Sequence, residues 1–323
     1  MLLLGHLHAN AQDYHLSNYN NNPVIFNPAK AGSFLGNIRV GAAYREQWQQ
    51  FITTPFQTAS VNLDTSFDFG FSDGDWVSGG VNLYGDRSGD LSYQYYIGST
   101  TLAYHLMIER KRHTTVLSLG AQYGGNQRKL GLTSASFGDE LAGSTTSSSD
   151  RNFLDDYNEA NQDLGIGFQM SSRNKKGTTL VIGTAIQHLL QPRFGNNQVN
   201  ARSNTEASIL TPISKQMWFS ASMFASIMET AYSLTFLFGL PYKINPKSDF
   251  MFTPQLGLRV TDALIVGLGV DYKLWRVNVS YDVTVSSARS YNGGRGALEI
   301  GVQRIFNIYK KPEVMPILLC PRL

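Results

Sequence analysis

Residues 263–284 read ALIVGLGVDYKLWRVNVSYDVT, and this stretch decides the fold. Side chains alternate along it on both sides of a two-residue turn at Lys273 and Leu274. One face is large and apolar and consists of Leu264, Val266, Leu268, Val270, Val277, Val279, Tyr281 and Val283. The other face is mostly small or polar, as at Gly267, Asp271 and Asn278. Alternation with a period of two predicts β-strands that have one apolar face and one polar face.

The same alternation recurs in about fourteen segments of about ten residues each. A tilted strand of roughly nine to eleven residues crosses a bilayer, and bacterial outer-membrane barrels have an even number of strands. We therefore predict an all-β fold, a transmembrane antiparallel up-and-down β-barrel of about fourteen strands in the outer membrane. The predicted strands span 37–48, 56–65, 76–86, 92–105, 113–124, 161–172, 177–188, 203–212, 216–226, 230–240, 249–258, 262–272, 275–283 and 296–306.

The connections between these segments alternate in character. Every second one is mostly compact and basic, as at 109–112 and 174–176. The others include the longest predicted loop, over 125–160, and further loops near 189–202 and 284–295. Bacterial barrels place short turns in the periplasm and long loops outside the cell. This pattern predicts an integral outer-membrane protein with both termini in the periplasm.

The ends of the chain suggest how it is divided. Residues 1–11 contain an apolar run and the cleavage pattern Ala9-Asn10-Ala11, which predicts a signal peptide. We expect its true start to lie a few residues upstream, so that the signal peptide is truncated at its start. A mildly apolar disordered tail is the alternative. We expect a periplasmic segment over 12–36, the barrel over 37–306 and a periplasmic tail over 307–323.

Composition excludes several classes of protein. Charged residues make up 16% of the chain and its mean hydropathy is −0.19. The sequence contains no run of about 20 apolar residues, so we predict no transmembrane helix. The net charge of +3 is too small and too scattered to indicate binding to nucleic acid. Cys320 is the only cysteine, which excludes a disulfide within the chain.

A search for catalytic and metal-binding motifs finds no constellation that points to chemistry. The six histidines lack the spacing of metal ligands, and no nucleophile elbow, P-loop or dinucleotide motif occurs. His188 with a serine on a strand is the only hydrolase arrangement left open, and no spacing supports it. We expect no enzyme activity, no cofactor and no metal. Strand number leaves it open whether the lumen conducts, is plugged or holds a peptide segment.

Several short motifs, in order along the chain, resemble those of the PorP/SprF family. The matching stretches are Phe26-Asn27-Pro28-Ala29, Tyr44-Arg45-Glu46-Gln47-Trp48, His188 to Pro192, Ser280-Tyr281-Asp282 and Cys320-Pro321-Arg322-Leu323. Two departures are Ser17 in place of a glutamine and Leu323 in place of a phenylalanine. The resemblance singles out twelve signature positions: Asn27, Pro28, Arg45, Gln47, Trp48, His188, Pro192, Tyr281, Asp282, Cys320, Pro321 and Arg322.

The resemblance implies a non-enzymatic barrel of the type IX secretion and gliding-motility system of Bacteroidota. It also implies partners: a secreted adhesin with a type B C-terminal domain, and periplasmic or outer-membrane components of the same system, beside outer-membrane lipid. A porin-like diffusion channel for small solutes is the alternative. For the signature residues, structural roles compete with ligand contact. Asn27-Pro28 could cap a periplasmic or plug-like segment, and Trp48 could be an interfacial anchor. Cys320 could be a buried or solvated free thiol rather than a lipidation or disulfide-exchange site.

Overall fold

A computed structural model describes residues 14–49, 54–72, 74–89, 93–130, 157–195 and 197–307. Within these residues, fourteen strands form a closed antiparallel barrel in which the first strand pairs with the last. The predicted fold class and strand number are therefore confirmed. The barrel strands are β1 Ile38–Gln47, β2 Phe56–Phe67, β3 Trp76–Ser88, β4 Tyr93–Glu109, β5 His113–Leu130, β6 Tyr157–Asn174, β7 Thr179–Gln187, β10 Arg202–Pro212, β11 Trp218–Met228, β12 Ala231–Gly239, β13 Phe250–Arg259, β14 Ala263–Tyr272, β15 Trp275–Thr284 and β16 Arg295–Phe306. A separate hairpin consists of β8 Arg193–Phe194 and β9 Asn197–Gln198.

The two faces of each barrel strand differ as the alternation predicts. In β14, Leu264 and Val266 are exposed on the outer face, whereas Ala263 and Ile265 are buried inside the barrel. Lys273 adopts a left-handed backbone with φ of 54° in the two-residue turn to β15. The outward apolar side chains are placed to meet lipid. No helix in the described ranges is long and apolar enough to cross a membrane.

The connections define two different ends of the barrel. The short-turn end carries the connections 68–75, 110–112, 175–178, 213–217, 240–249 and 273–274. The long-loop end carries, among others, the β8–β9 hairpin between β7 and β10, and a short helix at Arg289–Asn292 between β15 and β16. In bacterial barrels the end with long loops faces outside the cell.

The strands β5 and β6 extend further than the sequence analysis predicts. They pair without interruption from His113 and Asn174 to Leu130 and Tyr157. The loop predicted over 125–160 is therefore wrong at 125–130 and 157–160, and its remainder lies outside the described residues. Hydrogen bonds between strands join backbone groups, so a pair of strands can continue after the apolar alternation has ended.

Residues 14–36, which we call the plug, lie inside the barrel. They form single helical turns at Tyr19–Asn21, Pro23–Phe26 and Pro28–Lys30, and most of their side chains are buried. Residues 12–36 are predicted to form a periplasmic segment, but the described part, 14–36, lies in the lumen instead. The physical reason is that the segment carries apolar side chains, and a fourteen-stranded barrel has space to bury them. The predicted signal peptide over 1–11 and the predicted tail over 307–323, apart from residue 307, lie outside the described residues.

Candidate functional site

The plug is fastened near its junction with β1 by a buried ion pair. Arg39 and Asp64 are cross-strand partners on β1 and β2, and Nε and Nη2 of Arg39 donate to the two carboxylate oxygens of Asp64 at 2.9 and 2.8 Å. Asp64 also accepts from the backbone N–H of Gly32 at 2.8 Å, and Arg39 donates to the carbonyl oxygen of Lys30 at 3.2 Å. A bidentate pair of this kind is strong and directional, so it holds the plug backbone in one position.

Two glycines of the wall let the plug backbone approach closely. Gly120 and Gly167 are cross-strand partners on β5 and β6. A Cβ atom added at Gly120 would collide with the plug backbone at Pro28, and one added at Gly167 would collide with Asn27. Nδ2 of Asn27 donates to the carbonyl oxygen of Phe168 at 3.1 Å. The signature residues Asn27 and Pro28 therefore lie where plug and wall touch.

A buried network of charges lies nearer the long-loop end. Asp282 Oδ2 accepts from Ser17 Oγ at 2.8 Å, from Arg45 Nη1 at 2.9 Å and from Arg259 Nη2 at 3.1 Å. Arg45 also donates to Ser17 Oγ, and its Nη2 donates to Gln47 Oε1 at 3.3 Å. Three strands and the plug thus share one carboxylate, and the arrangement keeps its buried charges paired. It brings together three signature residues, Arg45, Gln47 and Asp282.

Glu299 on β16 is the second acid of this network and has no solvent exposure. It accepts from the backbone N–H of Ser17 at 2.5 Å, from the backbone N–H of Asn18 at 3.1 Å and from Nδ2 of Asn21 at 2.7 Å. Its Oε2 lies 3.8 Å from Arg45 Nη1. One carboxylate therefore satisfies three donors of the plug, which makes Glu299 its most densely bonded described anchor.

The first described residues of the plug pack against a third group of side chains. Arg202 Nη1 donates to the carbonyl oxygen of Tyr14 at 3.0 Å, and its guanidinium lies 4.3 Å from the Tyr14 ring centroid. The Tyr14 ring meets Tyr84 at 5.6 Å and His188 at 6.3 Å, both edge-on. His188 Nδ1 lies 2.5 Å from Asp163 Oδ2. The signature residue His188 is therefore part of the wall around the plug, and this carboxylate fixes its ring.

His15 lies among the arginines that hold this part of the plug. Burial, together with the positive charges of Arg259, Arg45 and Arg202, lowers the pKa of His15 well below its usual range. The imidazole is therefore neutral at pH 7 and adds no positive charge to a region that already contains three guanidinium groups.

The remaining described signature residues lie apart from this network. Trp48 has a left-handed backbone, its N–H donates to the carbonyl oxygen of Gly296 at 3.1 Å, and its ring meets Phe56 at 5.1 Å. Pro192 is buried beside the β8–β9 hairpin, and Tyr281 points outward from the barrel. Cys320, Pro321 and Arg322 lie outside the described residues.

Sequence reasoning missed most of the partners that hold the plug. Glu299, Arg259 and Arg202 were not singled out, nor was Glu206, which pairs with Lys30 of the plug. A usable signal was present, since each is a charged residue at an inward-facing position of a strand whose other face is apolar. Such a residue needs a partner inside the barrel. The described part of the chain contains no group of three or more His, Cys, Asp or Glu side chains that could hold a metal ion.

Comparison with protein families identifies the chain. The family model described as type IX secretion system membrane protein PorP/SprF matches residues 8–302. The chain belongs to the PorP/SprF family. The match includes the plug and all but the end of β16, and with the closed barrel it places this PorP/SprF protein in the outer membrane as part of type IX secretion. No curated protein matches the chain.

Several solved structures are similar to this chain at very low sequence identity. The CymD monoaromatic hydrocarbon channel is 10% identical with a TM-score of 0.47, and the match covers 90% of this chain and 94% of that chain. The toluene transporter TodX of P. putida is 10% identical with a TM-score of 0.44, covering 90% and 95%. The NanC porin is 11% identical with a TM-score of 0.40, covering 84% and 100%.

Proposed function

We propose that this PorP/SprF protein is a non-enzymatic barrel that supports export and surface anchoring of adhesins by binding a type B C-terminal domain. Its family membership supports a role in type IX secretion. The observation that carries the proposal is the plug, which occupies the lumen and is tied to the wall by the Lys30–Glu206 ion pair and by hydrogen bonds to the buried carboxylates Asp64, Asp282 and Glu299. A barrel occupied by its own chain suits a rigid docking platform better than a diffusion path for small solutes.

The adhesin domain binds at the long-loop end in this proposal. Tyr291, in the helical connection between β15 and β16, is 78% exposed, and Leu190, beside the β8–β9 hairpin, is 51% exposed. Val285 is also exposed there. These side chains lie in connections beyond the strand ends, and exposed aromatic and apolar residues are typical anchors of protein interfaces.

The signature residues then have two kinds of role. Asn27, Pro28, Arg45, Gln47, Asp282 and His188 hold or border the plug and keep the platform rigid, which their contacts support. Trp48 and Pro192 support the connections at the long-loop end. The basic tail with Cys320, Pro321 and Arg322 engages a periplasmic component of the secretion system.

The test is purification of the tagged protein from its native outer membrane, followed by mass spectrometry of what co-purifies. The wild-type barrel should recover secreted surface proteins with a type B C-terminal domain, and the double variant Leu190→Ser/Tyr291→Ser should lose them. Phe71→Ser is the matched control, because Phe71 is 95% exposed but lies at the short-turn end. Recovery of no such protein, together with passage of small solutes through the barrel in liposomes, would support the diffusion channel instead.

A further inference from the structure

An apolar groove of about 680 Å³ crosses the wall formed by β4, β5, β6 and β7. It lies on the outer, lipid-facing side, because its lining includes Leu102 and Leu119, which are 68% and 65% exposed. Ala121 is the cross-strand neighbour of both Leu102 and Ile166. A methyl group between two large side chains leaves a depression, so Ala121 forms part of the floor.

A cluster of positive charges lies at the end of the same four strands. Arg110, Lys111 and Arg112 form the turn from β4 to β5, and Lys175 and Lys176 begin the turn from β6 to β7. The two turns adjoin, since the backbone N–H of Lys175 donates to the carbonyl oxygen of Arg112 at 3.3 Å. All five side chains are exposed, and none forms an ion pair with any described residue. They are therefore available to an anionic group.

The spacing between charges and groove matches one leaflet of a membrane. Leu119 lies seven residues from Arg112 along β5, and Phe168 lies seven residues from Lys175 along β6. At about 3.3 Å per residue the distance along the strand is about 23 Å, and a tilt of about 45° reduces it to a height of about 16 Å. Half of a hydrocarbon core of about 30 Å is about 15 Å. The groove is therefore within reach of an acyl chain whose headgroup lies at the two basic turns.

We propose that this wall is a binding site for one phospholipid with an anionic headgroup, taken from the membrane leaflet at the short-turn end. The phosphate is held by the turns at Arg110–Arg112 and Lys175–Lys176, and an acyl chain lies along β5 and β6 with its end in the groove above Ala121. A phospholipid with an anionic headgroup combines a negative charge with an apolar chain at this separation. The inference goes beyond the proposed function and does not depend on it.

The test uses native mass spectrometry of the full-length barrel, purified in mild detergent and incubated with phosphatidylglycerol or with phosphatidylcholine of the same acyl chains. The wild-type protein should retain one phosphatidylglycerol molecule in preference to phosphatidylcholine. Ala121→Phe fills the groove and should lose both lipids. Ala42→Phe is the matched control, since Ala42 is exposed on the outer face of β1 but does not line the groove, and it should bind as the wild type does.

The charges are tested separately from the groove. Arg112→Gln/Lys175→Gln should reduce the preference for phosphatidylglycerol by roughly twenty-fivefold, because each basic residue near an anionic surface contributes about fivefold. The control is Lys215→Gln/Lys247→Gln, which removes two exposed charges from the β10–β11 and β12–β13 connections at the short-turn end. It should leave the preference for phosphatidylglycerol unchanged.

Each variant is first checked for folding by its shift on an unheated gel, and Ala121→Met replaces Ala121→Phe if the latter does not fold. Three outcomes would overturn the proposal. Ala121→Phe could still retain phosphatidylglycerol, Ala121→Phe and Ala42→Phe could lose the lipid equally, or the wild type could retain the two lipids equally. The mass of a dimer without lipid would overturn it too, because a second copy would then cover the groove.

Discussion

Replacing Glu299 by alanine should loosen the plug by about 3–5 kcal/mol. The carboxylate is fully buried and accepts from the N–H groups of Ser17 and Asn18 and from Asn21 Nδ2. Each buried donor left unsatisfied costs about 1–3 kcal/mol, and Glu299 satisfies three donors of the plug. These costs overlap, so their sum is an overestimate. A change of 3–5 kcal/mol raises the population of the released plug roughly a hundredfold to a few thousandfold.

The assay is the labelling rate of a cysteine placed on the plug. Val24 is 1% exposed, so Val24→Cys in a Cys320→Ser background reacts with a thiol reagent only when the plug opens. Glu299→Ala should increase this labelling rate roughly a hundredfold to a few thousandfold while the barrel stays folded. The control is Ile300→Ala, which changes the next residue, on the outer face and 39% exposed. A labelling rate in Glu299→Ala within threefold of the parent protein would refute this account of the anchor.

Three further predictions use the same labelling assay. Gly120→Ala should speed labelling, because its Cβ meets the plug backbone, whereas Gly98→Ala adds a Cβ in ordinary contact distance and should not; equal rates would contradict a tight plug–wall contact. Lys30→Glu should speed labelling through repulsion from Glu206, and Lys30→Glu/Glu206→Lys should restore the slow rate; failure of the double variant to recover would argue that this pair is not an anchor. Burial lowers the pKa of His15 in the plugged state. As the pH falls, the released state therefore takes up a proton at a higher pH than the plugged state does. The plug should therefore be most stable above about pH 6.5 and should open more readily as the pH falls below that value. His15→Gln should remove this pH dependence, with rates normalised to the denatured chain.

The barrel could be predicted from the sequence because lipid imposes one requirement on every strand. Each strand presents an apolar residue at every second position, as Leu264, Val266 and Leu268 do, and this repeated signal identifies both the strands and their outer face. The residues at which strands end are harder to predict from the sequence. The pairing of Leu130 with Tyr157 lies beyond the apolar pattern, where backbone hydrogen bonds alone continue the ladder.

The plug could not be predicted in the same way, because polar inward-facing residues suit water and a peptide equally well. Arg45 and Asp282 appear in the sequence as unrelated members of two motifs, and only the closed barrel brings them within 2.9 Å. The resemblance to the PorP/SprF family drew attention to both residues, but a motif does not state which residues meet. Glu299 belongs to none of the family motifs, and its inward-facing charge was the signal for a partner inside the barrel.

The contacts of Ser17 have a consequence for the order of assembly. Ser17 bonds to residues 265 and 282 positions later in the chain, on the last two strands. Contacts between distant parts of a chain form late, because a large loop must close first. The plug also touches both sides of the β1–β16 seam, through Arg45 and Glu299. We therefore expect the part of the chain that is made early to take its final place late, when the barrel closes at the β1–β16 seam. In a barrel with an open seam, Arg45 and Glu299 would lack the partners that they have across the closed wall.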